Sequence, residues 1–291
     1  MMRREHLHEF WQQFRQHRLA VVGGGVVVVF TLCAILTPLI APHDPFQGDL
    51  ANRLKPPVWM DGGDWSHPLG CDQQGRDMLS RILYGARISI LVGIVVVILS
   101  ALIGTFLGLI AGYYGGWLDG LISRIVDILL AFPFMLFAIG MMAFLQPGLM
   151  NIIMTLTLKG WVPFCRLVRG DTLSAKTREY VEAAGALGAR DSHIMVREIL
   201  PNVLSSVIVF ATLNVAIIIL LEASLSFLGL GIQPPYPSWG GMVSEGRAYL
   251  LEEWWISTFP GLAILIMVLG VNLFGNGLRE ALDPRLKIQM R

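Results

Sequence analysis

Six stretches of this 291-residue chain, residues 19–41, 86–113, 121–146, 150–168, 204–229 and 257–278, are strongly apolar. Each is about as long as a helix needs to be to cross a bilayer, roughly 20 residues. The chain therefore reads as an all-α polytopic membrane protein with six transmembrane helices. Only 15% of its residues are charged, against about 25% in a typical soluble domain, and 54% are hydrophobic. The first stretch follows a basic start, Arg3, Arg4, Arg15 and Arg18, as a secretory signal would. Its apolar run is too long for such a signal, and Pro42 is a poor cleavage junction, so it reads as a retained anchor.

Basic residues set the orientation. With the N-terminus inside, residues 1–18, 114–120, 169–203 and 279–291 face the cytoplasm. That side, helix ends included, takes 15 of the 22 basic residues. The outer side keeps Arg53, Lys55, Arg76, Arg81, Arg87 and Arg247, and Lys159 lies within the fourth stretch. This bias follows the positive-inside rule and places both termini in the cytoplasm. The organisation expected is an N-terminal arm (1–18), a first span (19–41), an extracytoplasmic segment (42–85), a five-span core (86–278) and a tail (279–291). The core contains a cytoplasmic loop, residues 169–203.

The segment 42–85 is rich in Pro, Gly and Asp, which predicts an ordered loop with turns. Its last part, GRDMLSRILYGAR, predicts a short interfacial helix before the second span. Residues 230–256 combine a Pro-rich turn with a short amphipathic helix, and Trp254 and Trp255 stand where an aromatic belt would lie. Gly104, Gly108 and Gly112 form a small-residue ridge for close helix packing.

Chemistry is conspicuous by its absence. The sequence has no G-x-x-x-x-G-K-[ST], H-E-x-x-H or G-x-S-x-G pattern, so no catalytic residue is named. Cys33, Cys71 and Cys165 are dispersed and odd in number, which gives neither a disulfide framework nor a paired-cysteine metal site. His6, His8 and His17 belong to the charged arm, while His43 and His67 are single residues of the outer loop. No metal site is read. A net charge of +1 with no basic run gives no nucleic-acid signal. Uphill transport by this chain would need energy from a partner or an ion gradient.

The internal loop contains EYVEAAGALGARDSHIMVREILP (179–201). Glu179 to Leu187 predicts a helix stopped by Gly188. Asp191 or Ser192 could cap a second helix with Ile194, Met195, Ile199 and Leu200 on its apolar face, before Pro201 opens the fifth span. Small Ala183, Ala184 and Gly185 allow another backbone to approach.

Glu182-Ala183-Ala184, then Gly188, then Leu200-Pro201 resembles the EAA motif of ABC importer permeases, EAA-x3-G-x9-I-x-LP. Glu198 stands at the isoleucine position, with Ile199 one place later. HPLGCDQQGRDMLSRILYGARIS, EASLSFLGLGIQPPYPSWGGM and NLFGNGLREALDPRLK resemble the dipeptide/oligopeptide/nickel branch, specifically its second permease subunit. Cys71 and Asn276 depart from that branch, which usually has Thr and Asp there.

The resemblance implies a type I ABC importer permease in a bacterial inner membrane. It implies that Glu182, Ala183, Ala184 and Gly188 form the coupling helix that docks an ATPase. Implied partners are a homologous permease forming a heterodimer, two cytosolic ATPases that bind ATP and Mg, and an extracytoplasmic binding protein. This chain itself would hold no cofactor and hydrolyse nothing. Peptides or peptide-like solutes are the implied substrates; opines, glutathione and nickel chelates are alternatives within the branch. An ion-driven secondary transporter is the alternative of another class.

Ionisable residues inside a bilayer default to functional candidates. Arg124 and Asp127, three apart on the third stretch, suggest a structural ion pair. Lys159 lies about nine residues from either end of its stretch, about 13 Å from each surface. Three readings stand open for it: pairing with Glu222 of the fifth stretch, snorkelling, or lining the translocation path. Lys159 and Glu222 are together the pathway candidates.

Overall fold

The computed structural model describes residues 17–282. Most of the N-terminal arm and the tail beyond residue 282, with their arginines, lie outside the described residues. The described chain is helical, without a named strand. Its helices are α1 (Arg18–Ile40), α2 (Met78–Tyr114), α3 (Gly116–Ala131), α4 (Phe134–Leu145) and α5 (Leu149–Lys176). They continue as α6 (Glu179–Ala186), α7 (Asp191–Phe227), α8 (Trp239–Gly246) and α9 (Trp255–Leu282). Among the described residues, α1, α2, α7 and α9 are long and apolar enough to cross a membrane, and the bent pair α3 and α4 raises the number to five if it is one span. Helix α5, the expected fourth span, is not among them, so the six expected spans become four or five.

The core is built around α2, which packs against α5 and α7. The glycine ridge makes the first of these contacts possible. A Cβ added at Gly104 would lie 2.5 Å from the Trp161 carbonyl oxygen, and one at Gly108 would lie 2.6 Å from that of Cys165. The two backbones touch where side chains would hold them apart, as expected where dispersion rather than hydrophobicity must join helices. Gly108→Leu should therefore abolish most of the monodisperse yield after detergent extraction, because a rigid backbone cannot yield to the new side chain. Gly120→Leu, where an added Cβ meets nothing within 4 Å, should leave the yield unchanged.

Four expectations are corrected. The stretch before the second span is no separate interfacial helix: α2 starts at Met78, capped by the Asp77 carboxylate accepting from the Ser80 amide, and runs 37 residues without a break. The third stretch is bent by 89° between Ala131 and Phe134, at the peptide that precedes Pro133. A residue before proline disfavours the helical region, and Phe132 is extended (φ −90°, ψ 132°). The helix expected at 150–168 continues to Lys176. Trp255 belongs to no belt: it is buried, and its Nε1 donates to the Cys71 carbonyl at 3.2 Å.

The segment between α1 and α2 is ordered by charge. Asp72, Arg76 and Arg81 are all buried, and both arginines reach the Glu245 carboxylate of α8, at 2.9 Å from Arg76 and 2.8 Å from Arg81. Arg76 also pairs with Asp72 at 2.6 Å, and Arg81 Nη1 donates to Asp72. Two cations and two carboxylates balance, so each desolvated charge has a partner. Burial in this subdomain pushes the Cys71 thiol up to about 12. Cys71 should thus resist a maleimide at neutral pH until the protein is unfolded, since the thiolate is the nucleophile. Mass spectrometry of labelled peptides checks this.

Candidate functional site

The charged segment between α5 and α7 folds into a hairpin at the end of α2. Helix α6 covers Glu179–Ala186 and ends in a Schellman motif. The Ala189 amide donates to the Ala184 carbonyl at 3.1 Å and the Gly188 amide to that of Gly185 at 3.0 Å. The motif needs a left-handed residue, and Gly188 supplies it at φ +81°. Only Val181 of this helix is buried; with Ile194 and Ile199 it anchors the hairpin to the main core. Glu182, Ala183 and Gly188 are exposed, Ala184 is half-buried, and Leu187 is 89% exposed. The result is a small-residue knob tied down on one side and bare on the other.

The second helix differs from the expected one. It is continuous with the following span as α7, and Asp191 does not cap it; the Asp191 carboxylate instead accepts from Tyr113 Oη at 2.9 Å. Residues Ile194–Ile199 form a π-helical turn just before Pro201. Proline has no amide to continue the ladder; one residue on, Asn202 Nδ2 donates to the Glu198 carbonyl at 2.7 Å. The wider turn puts Ile199 in the core and leaves Glu198 half-exposed. The glutamate at the usual isoleucine position therefore does not enter the packing.

Tyr113 and Lys176 were not singled out in the sequence. Lys176 Nζ donates to the Tyr113 carbonyl at 2.7 Å and sits 5.3 Å from its ring centroid. These bonds lash the ends of α2 and α5 to the start of α7. Adjacent tyrosines and a terminal lysine carry no sequence signal of such a junction.

The membrane charges are arranged otherwise than their spacing suggests. Arg124 and Asp127 are both exposed and form no ion pair with each other. The pair that forms joins α3 to α5: Arg169 donates to Asp119 from Nε at 2.5 Å and Nη2 at 2.7 Å. A forked guanidinium meeting both carboxylate oxygens has better geometry than two side chains one helical turn apart.

Lys159 and Glu222 do not pair either. Lys159 is 4% exposed, so it does not snorkel. Its Nζ donates to the Phe132 carbonyl at the α3–α4 break and lies 5.6 Å from the ring centroids of both Phe134 and Phe137. The ammonium thus meets the negative end of α3 and two aromatic faces. Glu222 is fully buried and accepts from Ser89 Oγ at 3.1 Å and Ser226 Oγ at 2.8 Å, linking α7 to α2. Each charge is satisfied locally, by dipoles rather than by the other charge. Beside the Lys159 brace, Phe134, Gly160, Ser100 and Asn214 line part of an apolar cavity of about 350 Å³ between α2, α4, α5 and α7.

Comparison with known proteins adds to this geometry. The family model described as "Binding-protein-dependent transport system inner membrane component" matches residues 104–288, and that of the "N-terminal TM domain of oligopeptide transport permease C" matches residues 6–57. The chain is 49% identical to the dipeptide transport system permease protein DppC of Escherichia coli (strain K12) over 281 residues, 97% of this chain and 94% of that protein. It is 44% identical to the glutathione transport system permease protein GsiD of Shigella flexneri serotype 5b (strain 8401), over 96% of this chain and 91% of the relative. Its fold resembles a chain of the inward-facing MetNI methionine ABC transporter, with a TM-score of 0.59 and 20% identity over 71% of this chain and 98% of that one.

Proposed function

Because the chain belongs to the binding-protein-dependent transport system inner membrane components, the permeases of ABC importers, we propose that it admits di- or oligopeptides and takes its energy through α6. It is a multi-pass membrane protein and a permease subunit. Glu182, Ala183, Ala184 and Gly188 seat in a cleft of a cytosolic ATPase. A homologous permease completes the pathway as a heterodimer, a second ATPase docks there, and an extracytoplasmic binding protein delivers the solute. Both termini lie in the cytoplasm of a bacterium, and ATP and Mg are held by the ATPases rather than by this chain. Closure of the ATPases drives alternating access, moving the knob and the helices lashed to it.

The observation that carries this reading is the bare small-residue knob fixed to the ends of α2, α5 and α7. Peptides are favoured by the dipeptide relatives at 42–49% identity. Glutathione, the solute named for a 44% relative, is the second substrate to test. Reconstitution with the sister permease, both ATPases and the binding protein should give ATP-dependent uptake of labelled dipeptide. Uptake by the lone chain along an ion gradient would overturn the reading in favour of a secondary transporter.

Lys159 and Glu222 hold the wall of the path in shape rather than meet the solute. Lys159→Ala removes the donor at the α3–α4 break and leaves a carbonyl unsatisfied, a cost of about 1–3 kcal/mol. Uptake of anionic and neutral peptides should fall together, by a similar factor. Selective loss of anionic peptides would instead make Lys159 a ligand contact.

A further inference from the structure

At the end of the bundle opposite the α6 hairpin, three residues of the segment between α1 and α2 converge. His67 Nδ1 lies 3.0 Å from Asp77 Oδ1, and His43 Nδ1 lies 4.0 Å from the same oxygen. The two imidazoles are stacked, with centroids 4.5 Å apart and planes inclined by 29°. One ligand atom from each residue falls within 4.8 Å of the other two.

The charge balance here is incomplete. Asp77 and His67 are buried, and among the described residues no Lys or Arg pairs with Asp77. The neighbouring Arg76 and Arg81 are both committed to Asp72 and Glu245. A buried carboxylate needs a cationic partner or a metal. The second oxygen of Asp77 is already fixed, accepting from the Ser80 amide at 2.8 Å and from Ser80 Oγ at 2.7 Å. Ser80 Oγ in turn accepts from the His43 amide at 3.1 Å. The carboxylate is therefore oriented in advance, with its other oxygen facing both rings, as supporting hydrogen bonds orient metal ligands.

We propose that His43, His67 and Asp77 form a binding site for a divalent transition-metal ion of the zinc type. Two imidazole nitrogens and one carboxylate oxygen are the donor set of an open tetrahedral site, with the fourth position left to water. Donors around such an ion stand about 3.3 Å apart, so the inward movement needed falls mainly on His43, the exposed member of the three. A bound ion clamps the residues that follow α1, the outer loop and the start of α2, three segments now joined there by hydrogen bonds and ring stacking. Hard cations are poor occupants, because two of the three donors are nitrogen and the cluster is too small for six oxygen ligands.

In the sequence His43 and His67 stand 24 positions apart and no short metal motif contains them. The test uses the purified transporter complex, stripped with a chelator and titrated with Zn2+ alone, with bound zinc counted after desalting. Cobalt substitution supplies a second readout through its visible absorption. Wild type should retain one more zinc per copy of this chain than the His43→Ala/His67→Ala variant. The His43→Ala variant, which changes only an exposed side chain, should bind at least tenfold more weakly. A large excess of Mg2+ should not compete. Equal zinc content in wild type and the double variant, or undiminished affinity in His43→Ala, would overturn the proposal.

Discussion

A transporter carrying Gly188→Val should bind its ATPases and hydrolyse ATP while importing solute at least tenfold more slowly. Gly188 occupies the left-handed region at φ +81°, where a side-chain-bearing residue pays about 1–2 kcal/mol and a β-branched one more. An added Cβ meets nothing within 4 Å, so the effect comes from the backbone and not from a clash. Helix α6 has only eight residues, too few to stand by its own propensity. Losing the Schellman bonds frees the knob to tilt on its Val181 anchor, and a tilting knob transmits little of the ATPase stroke. Asparagine tolerates the left-handed region, so Gly188→Asn should retain most transport. Normal uptake with Gly188→Val, alongside normal ATPase binding, would remove the coupling role from this turn.

Arg81→Met should lower stability by about 3–5 kcal/mol, the usual cost of breaking a buried ion pair from one side. Asp72 and Glu245 would then share Arg76 alone, leaving one excess negative charge in a site where Asp72 has no access to water. The outer loop and α8 should loosen together, because Glu245 is the link between them. Thermal unfolding in detergent, followed by loss of the monodisperse peak, measures this. Arg81→Met combined with Glu245→Gln restores charge balance and should recover part of the loss. An unfolding temperature unchanged in the single variant would show that the network contributes little to the outer subdomain.

What the sequence revealed follows from the range of each interaction. Apolar length alone located the first, second, fifth and sixth expected spans, since a 20-residue run has few other uses, whereas the third is bent and the fourth is not apolar enough to count. The hairpin at 179–201 was legible because its helix formers, its glycine stop and its small residues are local. The bend at Pro133 was not foreseen, although the proline was in view, because apolar residues continue through it. Its brace, Lys159, is 27 residues away in sequence. Arg124 and Asp127 had the right spacing for a pair, but spacing on one helix says nothing of Asp119 and Arg169, which meet across two helices. The outer network escaped notice for the same reason, as Glu245 lies 169 residues from Arg76. Trp255 was placed at an interface by composition and is instead buried, where its indole N–H caps a loop carbonyl.

The claim that α6 is where energy enters is tested most directly by contact. A photo-reactive phenylalanine analogue at Leu187, a side chain that is 89% exposed at the tip of the knob, should cross-link to an ATPase subunit in the assembled transporter. The yield should change when ATP is bound and when it is hydrolysed. A cross-link to the binding protein or to lipid, or none to any ATPase in a complex that transports, would contradict the account.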